Sequence, residues 1–273
     1  MWLVPALRFP EFTEEWKRIK VSDLLDFYST NSLSWEQLEY EPNEPYNLHY
    51  GLIHVGLSTL IDLTKDKLPS IKDGNVPKKY ELCKEGDIAF ADASEDTNEV
   101  AKVVEFYNLG DKKVVCGLHT IHGRNNNGQT AKGFLGYCFS STIFHNQIRR
   151  IAQGTKIYSI STKNFSEIFV GLPSRSEQQK IATLLRLIDE RIATQNKIIE
   201  DLKKLKSAIS LKMLHSDSWE QFRIKDIAII GRGRVISSVE ISQQKNPTYP
   251  VYSSQTSNEG IMGYLDDYMF EGE

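Results

Sequence analysis

Leu172-Pro173-Ser174-Arg175-Ser176-Glu177-Gln178-Gln179-Lys180-Ile181-Ala182 opens a stretch that reaches Leu214 with no Gly or Pro after Pro173. That spacing predicts one uninterrupted helix. Pro173 stops whatever precedes it, and Ser174 and Glu177 stand three apart, as in a capping box. There, each side chain satisfies a backbone N–H left orphaned by the helix start. Roughly 40 residues at about 1.5 Å rise give a rod on the order of 60 Å. A rod of that length needs a partner along its side. It follows one globular segment and precedes the start of a similar one, so it reads as a spacer between modules.

The periodicity of the rod says how it is used. Ile181, Ile188, Gln195, Leu202 and Ile209 are spaced by sevens. Leu184, Ile198 and Leu205 lie three positions further on, where Arg191 and Lys212 interrupt the column. Ile192, with Leu185, Ile199 and Met213, widens the stripe by one column. Such a stripe predicts coiled-coil packing on a broad face. An ordinary amphipathic helix packed on its own domain would look similar. Gln195 in an apolar column either fixes register or is a tolerated, partly exposed site.

The chain has 273 residues, 40% hydrophobic and 25% charged, with a net charge of −3. That length accommodates one large domain or two smaller ones. The charge is unevenly spread. Residues 1–139 carry 15 basic and 21 acidic side chains, residues 140–214 carry 13 and 6, and residues 215–273 carry 5 and 9. A basic band on an acidic protein can steer a polyanion to one face, although a solvated lysine-rich helix gives the same count. Cys83, Cys116 and Cys138 are odd in number with no paired spacing. This argues against a disulfide framework or a zinc site, and for a reducing cytoplasm. No apolar stretch approaches 18 residues, so neither a secreted nor a membrane-spanning protein is expected.

Trp16-Lys17-Arg18-Ile19-Lys20-Val21-Ser22-Asp23-Leu24 returns as Trp219-Glu220-Gln221-Phe222-Arg223-Ile224-Lys225-Asp226-Ile227. Trp and Asp are identical and the apolar positions are kept. Both copies open a globular segment, which makes the match an internal repeat and the architecture module, rod, module. The second module has only about 55 residues before Glu273, as expected of a fragment or an interrupted gene. Within the first module, 87–91, 100–106, 113–120 and 134–139 read as strands, and 141–152 as a short helix. Residues 164–170 form the last element before the rod. In the second module, 249–253 and 260–264 read as short strands.

In this order, several motifs carry a family resemblance. The leader Pro5-Ala6-Leu7-Arg8-Phe9-Pro10 precedes Trp16, and Gly86-Asp87-Ile88-Ala89-Phe90-Ala91-Asp92-Ala93-Ser94 follows. Gln153-Gly154-Thr155 precedes Ile160, and Leu172-Pro173 precedes Glu177-Gln178-Gln179-Lys180-Ile181-Ala182. Pro250-Val251-Tyr252-Ser253 and Asn258-Glu259-Gly260-Ile261 complete the set. The chain resembles the DNA-specificity subunit of type I restriction-modification enzymes over essentially its whole length. The resemblance implies an α+β chain without catalytic residues or a metal site. A mainly-β target-recognition domain with short helices (1–172) is followed by a coiled-coil spacer helix (173–215). The start of a second, similar domain (216–273) comes last. It implies that each domain reads half of a bipartite DNA target and that the helix docks modification subunits. S-adenosylmethionine, ATP and Mg would belong to the modification and restriction subunits. The absence of the second spacer helix would leave the stripe exposed and favour homodimerisation.

Sequence readout needs side chains that reach base edges. The richest segment is His119 to Lys132, with Arg124, Asn125, Asn126, Asn127 and Gln129; a plain Asn/Gly turn is the other reading. His49, Tyr50, His54 and Ser94 are further candidates for base readout. Arg149, Arg150, Lys156 and Lys163 are placed to hold phosphates. Two other function classes remain. A protein-only coiled-coil adaptor would carry the same rod. A stand-alone methyltransferase is disfavoured, because Thr248 breaks the resemblance of Asn246-Pro247-Thr248-Tyr249 to an Asn-Pro-Pro-Tyr loop and no Gly-rich cofactor turn follows an early strand.

Overall fold

A computed structural model describes Pro5, residues 7–214 and residues 219–269. Ala6 of the leader and the expected boundary at 215–216 lie outside the described residues. The chain divides into two compact units, Met1–Leu202 and Lys203–Glu273.

The first unit is built on a five-stranded sheet in the order Asp26–Tyr28, Thr120–Arg124, Ile88–Ala91, Val103–Asn108, Leu60–Asp62. All neighbours are antiparallel except the last pair, which is parallel. The strand Ile88–Ala91 is buried along its whole length, so its alternating side chains serve two cores. Ile88 and Phe90 face one that includes Phe134, Phe139, Phe144 and Phe165. Ala89 and Ala91 face the other, with Ile53, Ile61, Phe106 and Val114. Phe90 meets Phe165 edge-to-face at 4.6 Å and Phe139 at 5.0 Å, the geometry favoured by the ring quadrupoles. A four-stranded sheet lies in the order Val114–Cys116, Tyr46–Leu48, Ser70–Ile71, Leu38–Glu39. A two-stranded ribbon pairs Lys17–Lys20 with Phe169–Leu172, setting the opening of the module beside the entry to the long helix.

Three expected strands come out differently, and that of 113–120 divides into Val114–Cys116 and the start of Thr120–Arg124. Residues 134–139 form a helix, because Gly133 at φ +85° turns the chain and the Glu105 carboxylate accepts the N–H groups of Gly133 and Gly136. Glu105 is distant in sequence, so local pattern could not reveal it. The strand expected from Val100 begins at Val103, after a turn in which Ala101 takes φ +59°.

The long helix runs unbroken from Arg175 to Leu214, 40 residues. The Ser174 hydroxyl accepts the Glu177 N–H at 3.4 Å, as a cap should. Glu177 does not return the bond. Its carboxylate takes Arg8 Nε at 2.6 Å, Arg8 Nη2 at 2.8 Å and Trp16 Nε1 at 3.2 Å, and the residue is 1% exposed. The neighbouring Gln178 side chain accepts from Ala131 N–H at 2.8 Å and donates to the carbonyls of Pro173 and Gln129. Ala182 is buried and Ile181 packs against the first core. Further along, Leu184, Ile188, Ile192, Ile198, Leu202, Leu205 and Ile209 are all exposed.

The second unit contains a hairpin, Tyr249–Tyr252 with Ile261–Leu265, and the short helices Ile224–Ile227 and Ser238–Ser242. Several of its elements fall at a constant offset from elements of the first unit. Val21–Leu24 and Ile224–Ile227 are the same helical turn, 203 residues apart. Ser34, which precedes the turn Trp35–Gln37, maps onto Ser237, which caps Ser238–Ser242. The strand Tyr46–Leu48 maps onto the start of Tyr249–Tyr252. Burial separates the copies. Val21 and Leu24 are 0% and 1% exposed, whereas Ile224 and Ile227 are 64% and 69% exposed.

Candidate nucleic-acid interface

The side chains expected to read bases fall into two groups. One gathers around the helix Tyr50–His54. His54 Nε2 lies 3.1 Å from the Ala93 carbonyl, and Ala93–Ser94 pairs as a short strand with Tyr158–Ser159. Gln153 bridges Ser159, so the exposed loop carrying Lys156 is held at the same edge. Arg149, in the last turn of the helix Thr142–Ile151, donates to Asn98 Oδ1 at 2.6 Å and so joins the loop that begins at Ser94. His54, Ser94, Arg149 and Lys156 therefore share one edge. Arg150 and Lys163 are exposed, in the same helix and in the next one, Thr162–Ser166. Residues 140–163 supply four basic and no acidic side chains.

His49 is not available to a ligand. It is buried, its Nδ1 accepts the Gly51 N–H at 3.2 Å, and its ring packs between Trp35 and Tyr50. Burial, with a smaller push from His119, holds its pKa below the usual histidine value. Tyr50 continues the ring contacts to the exposed His119, 5.2 Å away, whose Nδ1 lies 3.1 Å from Asp92. Asp92 and His119 line a polar groove of about 620 Å³ with Asn31, Asn75, Lys79 and Tyr80. No periodicity marks these groove residues, and of them only Asp92 and His119 fall in stretches that the sequence singled out.

The second group behaves differently. Arg124 was expected to reach a base, but it is 5% exposed and lies within the sheet. Its Nε and Nη2 grip Asp87 at 2.8 Å each, Nη1 donates to Glu81 at 2.7 Å, and Nη2 also donates to the Leu82 carbonyl. Tyr28 covers the guanidinium face at 4.3 Å. A guanidinium so occupied positions the sheet and cannot fork onto guanine. Burial alone would raise the Asp87 carboxyl, but hydrogen bonds from His122 and Arg124 outweigh it and hold the group below the usual range. Asn125 folds back to accept the Asn127 N–H, and Asn126 bonds Asp26 and Tyr28. The loop is tethered to the helix start, where Arg175 donates to the Gly128 carbonyl and Gln178 to that of Gln129. Asn127 and Gln129 keep exposed side chains.

A family model described as the type I restriction modification DNA specificity domain matches residues 106–204 and 216–273. The chain belongs to this family. A Mycoplasma pneumoniae type I specificity subunit is 33% identical over 128 residues, 43% of this chain and 46% of its own length. A second from that organism is 33% identical over 111 residues, covering 40% and 46%. The crystal structure of the type I restriction-modification S subunit from M. genitalium aligns with a TM-score of 0.52 at 19% identity. It covers 92% of this chain and 62% of that one. The matches to the two curated relatives thus span less than half of their length. The structural likeness extends the α+β specificity-domain fold, long helix included, over nearly the whole chain.

The two matched segments flank residues 205–215, which include the end of the long helix, and the second begins just ahead of the repeated Trp219. The family match therefore includes the second copy of the repeat, while its first segment begins at residue 106, after the copy at Trp16–Leu24. Among the described residues, no helix is long and apolar enough to cross a membrane.

Proposed function

We propose that this chain is a non-catalytic, sequence-specific DNA-recognition subunit of a type I restriction-modification complex. Residues 1–172 act as the first target-recognition domain, 216–273 are part of a second, and 173–215 act as the spacer. The first domain reads one half of a bipartite double-stranded target. Tyr50, His54, Ser94, His119, Asn127 and Gln129, none of them fully buried, are the side chains that reach base edges. Arg149, Arg150, Lys156 and Lys163 hold phosphates.

The observation that carries this reading is the edge where Arg149 meets Asn98. There a segment whose only charged side chains are basic, 140–163, lies beside polar loop residues that come from elsewhere in the chain. Phosphate contacts fix register while side chains beside them read bases. The apolar stripe of the long helix is uncovered from Leu184 onward, which suits a surface that docks modification subunits or a second copy of the chain. Restriction subunits join through the assembled complex, and S-adenosylmethionine, ATP and Mg arrive with the partners.

Gel shifts with random-sequence duplex DNA at several salt concentrations test the proposal. Binding that weakens steeply with salt is expected, from counterion release. Failure to retard any duplex at low salt would leave only the protein-binding adaptor.

A further inference from the structure

The strands bring together three side chains that the sequence scatters. Cys83 and Cys116 approach to 3.6 Å between sulfurs, in a stretch where Cys83 N–H bonds the Val114 carbonyl and Leu82 bridges Val115. A ring nitrogen of His122 joins them, the three candidate ligand atoms all lying within 4.8 Å of one another. All three residues are buried. The odd cysteine count argued against a metal in the sequence, but only two of the cysteines converge here. Cys138 lies elsewhere, its Sγ near the Gly171 carbonyl.

His122 supplies the second observation. Its Nε2 is 2.8 Å from Asp87 Oδ2, while Nδ1 is buried and has no hydrogen-bond partner among the described residues. A buried imidazole nitrogen left unpaired costs free energy unless something binds it. Asp87 is itself fixed by Arg124 and by the Lys84 N–H at 2.8 Å. A carboxylate that accepts one ring N–H sets the tautomer and leaves the other nitrogen's lone pair free. This is the usual outer-shell arrangement behind a metal-bound histidine.

We propose that Cys83, Cys116 and His122 Nδ1 form a binding site for a thiophilic divalent cation, with zinc the occupant that fits best. Zn–S bonds of about 2.3 Å in tetrahedral geometry set two thiolates roughly 3.8 Å apart, close to the separation found. Binding releases two protons, one from each thiol, and the two thiolates then balance the charge of the ion, so no net charge is buried. Thiolate and imidazole donors select zinc over magnesium or calcium. Cys116 also lines the groove bounded by Asn31 and His119, so the proposed site lies beside that groove. The ion would tie the segment before strand Ile88–Ala91 to strands Val114–Cys116 and Thr120–Arg124, the elements that bound the groove.

The test is independent of DNA. The full chain, purified without chelator, should hold about one zinc per molecule by elemental analysis. Cobalt(II) added to the metal-free protein should give a thiolate-to-cobalt charge-transfer band. Cys83→Ser and Cys116→Ser should each lose both, and Cys138→Ser should keep both. Zinc should raise the thermal midpoint of the wild type and of Cys138→Ser. Because the serine variants could fail to fold, thiol reactivity of the wild type gives a second readout, with zinc slowing modification of two of its three cysteines. Wild-type protein with only trace zinc, no cobalt band and thiols indifferent to zinc would overturn the proposal. So would an oxidant that forms a Cys83–Cys116 disulfide at the same rate with or without zinc.

Discussion

The Arg8 guanidinium grips both carboxylate oxygens of Glu177, at 2.6 and 2.8 Å, across 169 residues of sequence. Trp16 adds a third donor to the same carboxylate. Residues from the leader, from the opening of the repeat and from the first turn of the long helix thus meet at one point. Removing one partner leaves the other charge poorly solvated beside the core. Glu177→Ala and Arg8→Ala should each lower the thermal midpoint, and the double variant should fall by less than the sum of the two. Strict additivity in that cycle would show the pair to be uncoupled.

Arg124 provides a sharper division between structural and reading roles. Arg124→Ala would leave Asp87 buried without its main partner and should destabilise the first unit by about 3 kcal/mol or more. Denaturant titration measures this. A stable variant with relaxed preference at a single base would return Arg124 to the reading group.

Arg149 should behave in the opposite way. Arg149→Ala should leave stability within about 0.5 kcal/mol, as for other surface changes. It should weaken binding to all duplexes alike and reduce the salt slope by about one. A loss confined to one target sequence would contradict a phosphate contact.

Glu105 carries a pH dependence. Burial pushes its carboxyl from 4.5 up to about 7, even though the N–H groups of Gly133 and Gly136 favour the charged form. The folded state then binds more protons than the unfolded state between those values. Stability from this group is fully present below the unfolded pKa and declines as pH rises through about 7, by at most about 3 kcal/mol. Glu105→Gln should flatten that part of the stability profile. An unchanged slope between about pH 5 and 8 in the variant would assign the dependence to other groups.

The stripe on the long helix predicts association. Leu184, Ile188, Ile192, Ile198 and Leu202 are between 44% and 58% exposed on one helix. Light scattering should show the isolated chain as a dimer or larger species. Ile188→Lys combined with Ile198→Lys should shift it toward monomer without moving the melting of the first unit. A monodisperse wild-type monomer would refute self-association.

The candidate site was only partly legible before folding. Arg149, Lys156, Ser94 and His54 were each recognisable by type, and the fold gathers them. Arg124 and His49 were equally plausible by type and turn out to be buried. Nothing in their neighbours' sequence announces Asp87 and Glu81, or Trp35, as the partners that claim them. The groove residues Asn31, Asn75, Lys79 and Tyr80 come from two loops and share no local pattern.

What the sequence by itself determined is whatever follows from short-range periodicity. It includes the 40-residue helix from the seven-residue repeat and the absence of Gly and Pro, and the repeated turn from matched apolar positions. The hairpin of the second unit belongs here too. The tertiary structure decided burial. The same turn is covered at Val21 and Leu24 and open at Ile224 and Ile227, and residues 134–139 became a helix because Glu105 reaches its first turn. Hydrogen-bond geometry within one turn or strand depends on residues a few positions apart. Burial depends on which distant segments pack against it, and that information is spread over the whole chain.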